Sequence, residues 1–261
     1  MAIDTHIHLF TRTLPQVTGA RHNPAYDATL VDLQAVSAGS GVERYVAVQP
    51  SFLGYDNAYL LEQIRRHPTL LTGVAVLDPA TTDEEIAGLR TSGIRGMRLN
   101  LLGRPLDRVL TETTLRLVQR CAEQGLHVEV HDHGQRLPHV LDRIAAVAKT
   151  VVIDHFGRPD SEKGGLLAPT FETLLRSGEG RDWYVKISAP YRCPGMDVTS
   201  AYQLFRQRWG VGKLLWGSDW PWTQHESLIN YSAWCKPFDE EENTAALLDE
   251  NAQRLFDFPA P

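Results

Sequence analysis

Short apolar, β-branched runs recur along the chain at Ala2–His8, Arg44–Pro50, Thr72–Asp78, Ile94–Leu101, His127–His131, Val151–His155, Tyr184–Ser188 and Lys213–Ser218. Between them lie stretches with apolar residues at helical spacing: Leu30–Ser40, Asn57–His67, Asp83–Thr91, Thr111–Gln124, Leu137–Ala148, Pro169–Leu175 and Val198–Trp209, with Glu240–Phe256 closing the chain. Strands that alternate with helices predict a parallel sheet joined by crossover helices, which is the α/β class. Eight such pairs predict one (β/α)8 TIM barrel occupying residues 1–261 as a single domain. An open doubly wound sheet would carry a Gly-rich phosphate loop after its first strand, and Leu9–Val17 has none.

The segments after the first and fourth strands, Phe10–Ala28 and Leu102–Leu110, are polar or contain Pro and Gly. They fall on the strand-to-helix side, where a barrel carries its active site. Strand interiors otherwise read as largely apolar. Composition excludes several classes: 43% hydrophobic residues without an apolar run of ~20 gives no membrane span. The first residues enter a strand pattern without the basic and apolar segments of a secretory signal, so a cytoplasmic protein is expected. A net charge of −6 without a Lys/Arg tract gives nucleic acid no general attraction, and an anionic ligand would need a local cluster of cations. Cys121, Cys193 and Cys235 show no CxxC spacing and read as inert thiols. Nothing in the sequence decides between a monomer and an oligomer.

Candidate chemistry sits at the strand ends. The first strand ends Asp4-Thr5-His6-Ile7-His8, and alternation puts His6 and His8 on one face, the inside of a barrel. Two such imidazoles can share a metal ion or converge as donors on one polarised oxygen. The fifth strand ends in His131, the sixth in Asp154-His155, and the eighth in Trp216-Gly217-Ser218-Asp219-Trp220-Pro221. Burying so many titratable groups costs free energy unless they are paired, hydrated or metal-bound, so their clustering at one mouth marks a functional site. Arg98, Arg104, Arg158 and Arg192 follow strands four, six and seven, and four guanidinium groups at one mouth suit a substrate with two or more carboxylates. Ser51 ends the second strand, and Tyr26, His133, Tyr191 and His225 lie on loops of the same side. Trp216, Trp220 and Trp222 are placed as pocket walls, whereas His22, His67, His127 and His139 lie off the strand ends and read as surface or structural residues.

The ordered set His-x-His at 6–8, Ile-Asp-His-Phe-Gly-Arg-Pro-Asp at 153–160 and Trp-Gly-Ser-Asp-Trp-Pro at 216–221 resembles the amidohydrolase superfamily over nearly the whole chain. Within its amidohydrolase-2 group, the chain is similar to the 2-pyrone-4,6-dicarboxylate lactonases and related sugar-lactone hydrolases. The resemblance implies that Asp219 is the general base activating water, that His155 polarises or orients the lactone carbonyl, and that Arg98, Arg104, Arg158 and Arg192 hold substrate carboxylates. It also implies a substrate hydroxyl contact from Ser51. The resembled lactonases work without a metal although they keep His-x-His, and where they carry a tyrosine at the fifth strand this chain has His131.

A lactone carbonyl needs a nucleophilic water, a base for its proton and positive partial charge for the tetrahedral oxyanion. The expected roles are Asp219 as base, His155 with His6 and His8 as polarising groups, and the four arginines with Ser51 and His131 as binding residues. The expected partner is a small anionic lactone, and the favoured reading requires no cofactor. The alternative is a single divalent ion such as zinc, held by His6, His8, His131, His155 and Asp219. Rival activities are a metal-dependent decarboxylase of an unsaturated acid, a hydrolase of neutral sugar lactones, which the arginine cluster disfavours, and a barrel that binds an aromatic acid without turnover.

Overall fold

The computed structural model describes residues 2–227, 229–235 and 244–258. Eight parallel strands pair in sequence order: β1 (Ala2–Ile7), β2 (Val42–Val48), β3 (Leu71–Ala75), β4 (Ile94–Asn100), β5 (His127–His131), β6 (Val151–Ile153), β7 (Trp183–Ile187) and β8 (Leu214–Trp216). The ring closes where β1 meets the end of β8: Asp219 donates its backbone N–H to the His6 carbonyl over 2.8 Å, and His8 donates to the Trp220 carbonyl over 2.8 Å. The outer layer comprises α1 (Leu30–Ser37), α2 (Ala58–Arg66), α3 (Asp83–Thr91), the single turn α4 (Leu106–Val109), α5 (Glu112–Glu123), α6 (Leu137–Ala145), α7 (Pro169–Gly178), α8 (Val198–Trp209), α9 (Tyr231–Cys235) and α10 (Asn251–Phe256). A π-helical stretch, Ala246–Glu250, runs directly into α10. Of the predicted closing helix Glu240–Phe256, residues 240–243 lie outside the described residues.

Helix starts follow local chemistry. Thr29 and Thr82 each form a reciprocal capping box, with Asp32 and Glu85, which satisfies N–H groups left over at α1 and α3. All eight expected strands are present, but β6 and β8 stop earlier than expected. His155 and Asp219, expected near strand ends, have φ of 52° and 60°, and left-handed backbone cannot continue a ladder. The residues with chemistry therefore sit on turns just above the strands.

A bulge decides what β1 presents. Pairing shifts between Asp4 and Ile7, where one extra residue on β1 faces β2. Below it Ile3 packs into the interior with Val46, Val74, Val152, Tyr184 and Leu215. Strict alternation from Ile3 would turn His6 outward; the extra residue turns His6 and His8 inward instead. Asp4 braces the bulge, accepting from the backbone N–H groups of His6 (3.1 Å) and Ser218 (2.9 Å) and from Tyr231 Oη (2.7 Å).

The interior is less apolar than the strand pattern suggests. His6, Arg98, Glu129, Asp154 and Lys186 are all buried within it. Lys186 Nζ donates to Glu129 Oε2 (2.5 Å) and to His6 Nδ1 (3.0 Å), and Arg98 donates to Asp154 Oδ2 from Nε (3.1 Å) and Nη2 (2.8 Å). Mutual pairing meets part of the desolvation cost. His127 is buried at the opposite end, edge-on to Phe256 and packed on Gly96, which leaves no room there for a Cβ. Cys121 and Cys193 are buried and free, and the side chain of Cys235 lies outside the described residues. Among the described residues, no helix is long and apolar enough to cross a membrane.

Candidate active site

The inward turn of β1 and the turn after β6 place three imidazole nitrogens around one carboxylate oxygen. Nε2 of His8, His6 and His155 stand 3.4, 3.5 and 3.9 Å from Asp219 Oδ1. The other oxygen, Oδ2, accepts from Tyr191 Oη (2.5 Å) and Arg192 Nε (2.6 Å). Asp219 is thus held by one oxygen from the loop after β7, while Oδ1 is buried and has no hydrogen-bond partner among the described residues. Burial alone would raise the Asp219 pKa, but Arg192, His155, His8 and His6 together hold it well below the carboxylate range.

Each histidine is oriented from behind. His8 donates Nδ1–H to the Val48 carbonyl over 2.7 Å, the only polarity a carbonyl partner permits. His155 Nδ1 pairs with Ser188 Oγ at 2.8 Å, and His6 Nδ1 faces Lys186. An ammonium can only donate, so Lys186 favours the His6 tautomer with its proton on Nε2. Burial keeps His155 neutral, with its pKa lowered to about 3, and burial together with Lys186 lowers His6 well below the imidazole range.

His131 lies between two guanidinium groups, with Arg98 Nη2 3.4 Å from Nδ1 and Arg158 Nη1 3.3 Å from Nε2. Both ring nitrogens therefore face cations. Burial, His155 and Arg98 lower its pKa well below the ordinary value. His131 lines the cavity beside Asp219; it is not part of the group formed by His6, His155 and Asp219, but forms another with Asp154 and His155.

A corner cavity of about 50 Å³ is lined by His8, Arg98, His131, His155, Arg192 and Asp219, with Ser51 at its edge. Arg104 does not reach this corner and lines the adjoining cavity instead. Arg98 also departs from expectation: it is 3% exposed and committed to Asp154, so it forms the floor of the mouth. Arg158 reaches the site through His131.

Several residues correct the sequence reading. His22, read as surface or structural, lines the corner together with Arg21. Trp216, Trp220 and Trp222 do not line it; they are buried in the surrounding core, Trp216 against Tyr231 and Trp222 donating Nε1–H to the Ser218 carbonyl. Tyr191 touches Asp219 directly, and His225 packs on its ring at 4.8 Å, while the Tyr26 hydroxyl turns to Glu226. His133, His67 and His139 are exposed. Glu129, Lys186 and Ser188 were legible in principle, because alternation along β5 and β7 aligns Glu129 with His131 and Lys186 with Ser188.

The donor set also fits a divalent ion. Zinc at about 2.0–2.1 Å from each ligand puts tetrahedral ligand atoms about 3.3 Å apart, close to the separations between Asp219 Oδ1 and the histidine nitrogens. His6, His155 and Asp219 bring three donor atoms within 4.8 Å, and His6 Nε2 and Asp219 Oδ1 lack other partners.

Comparison with known proteins places the chain in a family. The model of the Amidohydrolase family, Amidohydro_2, matches residues 3–258, and the chain belongs to that family. It is 29% identical over 238 residues to a 2-pyrone-4,6-dicarboxylate hydrolase of Comamonas testosteroni, covering 84% of this chain and 76% of that protein. It is 29% identical over 228 residues to a 4-sulfomuconolactone hydrolase of Rhizobium radiobacter, covering 84% and 75%. A solved structure from Acinetobacter baumannii, assigned as a 2-pyrone-4,6-dicarboxylic acid hydrolase and containing citric acid, superposes with a TM-score of 0.91 at 34% identity, covering 98% of this chain and 99% of that one.

Proposed function

We propose that this chain hydrolyses a carboxylated lactone such as 2-pyrone-4,6-dicarboxylate, by attack of water on the ring ester with Asp219 as the general base. The observation that carries this reading is the asymmetry of Asp219: one oxygen is clamped by Tyr191 and Arg192, and the other is buried, unpartnered and directed at three imidazoles. Lactone hydrolysis by two relatives, and citric acid in a third, support an anionic substrate.

Water bound beside Asp219 Oδ1 loses a proton to that oxygen as its own oxygen bonds to the carbonyl carbon. The carbonyl becomes an oxyanion facing Nε2 of His155 and His6; His6 donates from Nε2 because Lys186 occupies Nδ1, and His155 donates from Nε2 when Ser188 donates to Nδ1, whereas His8, whose Nδ1–H goes to Val48, offers an unprotonated Nε2 that accepts a hydrogen bond from the attacking water. Collapse breaks the ring C–O bond. The leaving oxygen takes the proton back from Asp219, and the product carries one more carboxylate than the substrate. Arg192 in the corner and Arg104 in the adjoining cavity hold the substrate carboxylates, Arg98 and Arg158 add positive charge from their places on Asp154 and His131, and Ser51 and His131 complete the binding surface. An incoming carboxylate that shares Arg192 weakens its hold on Asp219 and makes the base stronger at the moment it is needed.

The reading requires no metal. A divalent ion held by Nε2 of His6, His8 and His155 and by Asp219 Oδ1 would polarise the carbonyl and acidify water. The Lys186 ammonium at His6 Nδ1 favours the proton on Nε2, which opposes such ligation, and the guanidinium groups on both sides of His131 oppose a cation at that ring, although His131 also stands with Asp154 and His155 as a second group of donors within 4.8 Å.

The test is the loss of near-ultraviolet absorbance of 2-pyrone-4,6-dicarboxylate, followed with chelator-treated enzyme, zinc-supplied enzyme and Asp219→Asn. Turnover by both wild-type preparations and a rate at least ~10²-fold lower in the variant are expected. Turnover only with zinc overturns the metal-free route, and no turnover in either preparation removes this substrate.

A further inference from the structure

Next to the corner lies a larger cavity of about 540 Å³, between loop residues 17–21, the segment after β3 and the segment after β4. The two spaces share Arg21, Ser51, Arg98 and Asn100 in their walls, so a ligand in one borders the other. Their sizes differ in kind. The corner, at about 50 Å³, has room for the reacting ester and a water, whose share of liquid volume is about 30 Å³. The annex falls within the roughly 300–1,000 Å³ that holds whole organic ligands.

The annex has a consistent chemistry. Val17, Leu77, Leu101 and Val109 give it apolar walls, and Arg21, Arg104 and Arg108 stand around them. Among the described residues no Asp or Glu lines it, although the chain carries 32 acidic against 26 basic residues. Among the described residues none of these three arginines has a carboxylate partner; Arg21 donates from Nη2 only to Asn100 Oδ1, at 3.1 Å. Partial desolvation of the otherwise exposed Arg21, and repulsion from Arg98, Arg158, Arg192 and Arg104, oppose its charge, and a bound anion would offset the repulsion.

We infer that the annex receives the non-reacting arm of the substrate, a ring-sized apolar spacer ending in an anion that Arg21 holds with Arg104 and Arg108. This rests on the lactone-hydrolase reading and widens its substrate class: besides compact lactones such as 2-pyrone-4,6-dicarboxylate, which the corner and its arginines hold, the chain takes lactones whose distal anion lies beyond the lactone ring, and binds these more tightly. Sequence reasoning assigned Arg104 to binding but gave Arg21 and Arg108 no role.

Two probes of equal charge test this without turnover: benzene-1,3,5-tricarboxylate, which is compact, and biphenyl-3,4′,5-tricarboxylate, which carries its third carboxylate one ring further out. Calorimetric titration of the wild-type protein should show the longer probe binding about tenfold tighter. Arg21→Met should remove most of that preference, with an unchanged melting temperature as control because Arg21 is exposed. Leu101→Trp, which fills the annex, should weaken the longer probe selectively. Equal affinities, a preference for the compact probe, no binding of either, or a preference that survives both variants overturns the proposal. The two readings fail separately. Turnover of 2-pyrone-4,6-dicarboxylate with equal probe affinities keeps the lactonase and removes the annex, and tighter binding of the longer probe without turnover of 2-pyrone-4,6-dicarboxylate keeps the annex and removes that substrate.

Discussion

Arg192 and Asp219 are joined by a 2.6 Å hydrogen bond from Nε to Oδ2, so the residue best placed to act as base is bound to a cation in the free protein. Burial favours the neutral carboxyl and Arg192 overrides it. The ionised base persists to acid pH, and the acid limb of kcat/KM should fall below about pH 4, the ordinary carboxylate range.

Arg192→Gln should move that limb to higher pH, because the burial penalty on Asp219 is then less opposed. KM should also rise, since Arg192 lines the corner. A pH profile of kcat/KM for both proteins checks this. An unmoved limb would mean that some other group titrates.

Removal of metal separates the two uses of the same histidines. Dialysis against chelator should leave kcat/KM within about twofold of the untreated enzyme, with elemental analysis confirming less than stoichiometric metal in both samples. Loss of activity on chelation, restored by zinc, would make His6, His155 and Asp219 ligands and would require the His6 proton to move from Nε2 to Nδ1, where Asp154 Oδ1 stands 3.4 Å away.

The barrel was legible because parallel strands buried on both faces read as apolar runs, and the eight runs appear at their expected places. The strand-end histidines were legible as a cluster. Why they face inward was not: with Ile3 in the core, only the bulge between Asp4 and Ile7 turns His6 to the inside, and a bulge leaves no periodic signal. Arg21 and His22 were missed for a related reason, since the segment after β1 has no periodicity to assign a direction to a side chain. Arg98 was placed at the mouth because its partner Asp154 belongs to another strand, and such pairing depends on register across β4, β5 and β6.

Lys186 and Glu129 form a fully buried ion pair, and removing one partner strands the other's charge. Glu129 is already raised to about 7 by burial and by Asp154, against the pull of Lys186 and Arg98. Lys186→Met should therefore cost about 3–5 kcal/mol at neutral pH, and Lys186→Met with Glu129→Gln should recover much of that loss. Denaturant titration of the single and double variants measures the coupling. Additive effects would show that the pair contributes nothing as a pair.

Asp4 offers the cleanest pH signature, because it is buried away from the corner and its donors are all identified. Burial raises it to about 6 from an ordinary 3.8, although Ser218, Tyr231 and His6 donate to it. The sign follows from proton binding: between those two values the folded state holds a proton that the unfolded state has released, so stability falls as pH rises from about 4 to 6. Above that range the full cost, about 3 kcal/mol, is present. Asp4→Asn keeps an oxygen for the N–H groups of His6 and Ser218 and can donate its amide to Tyr231 Oη, so the bulge should survive. The variant should gain stability relative to wild type as pH rises from 4 to 6.5, whatever constant offset the substitution introduces. Asp154 and Asp219, which are held low and lose their stabilising effect as pH falls below the carboxylate range, contribute equally to both proteins and cancel in the difference. Melting temperatures of the two proteins across that pH interval are the measurement, and parallel curves would show that Asp4 remains ionised in the fold.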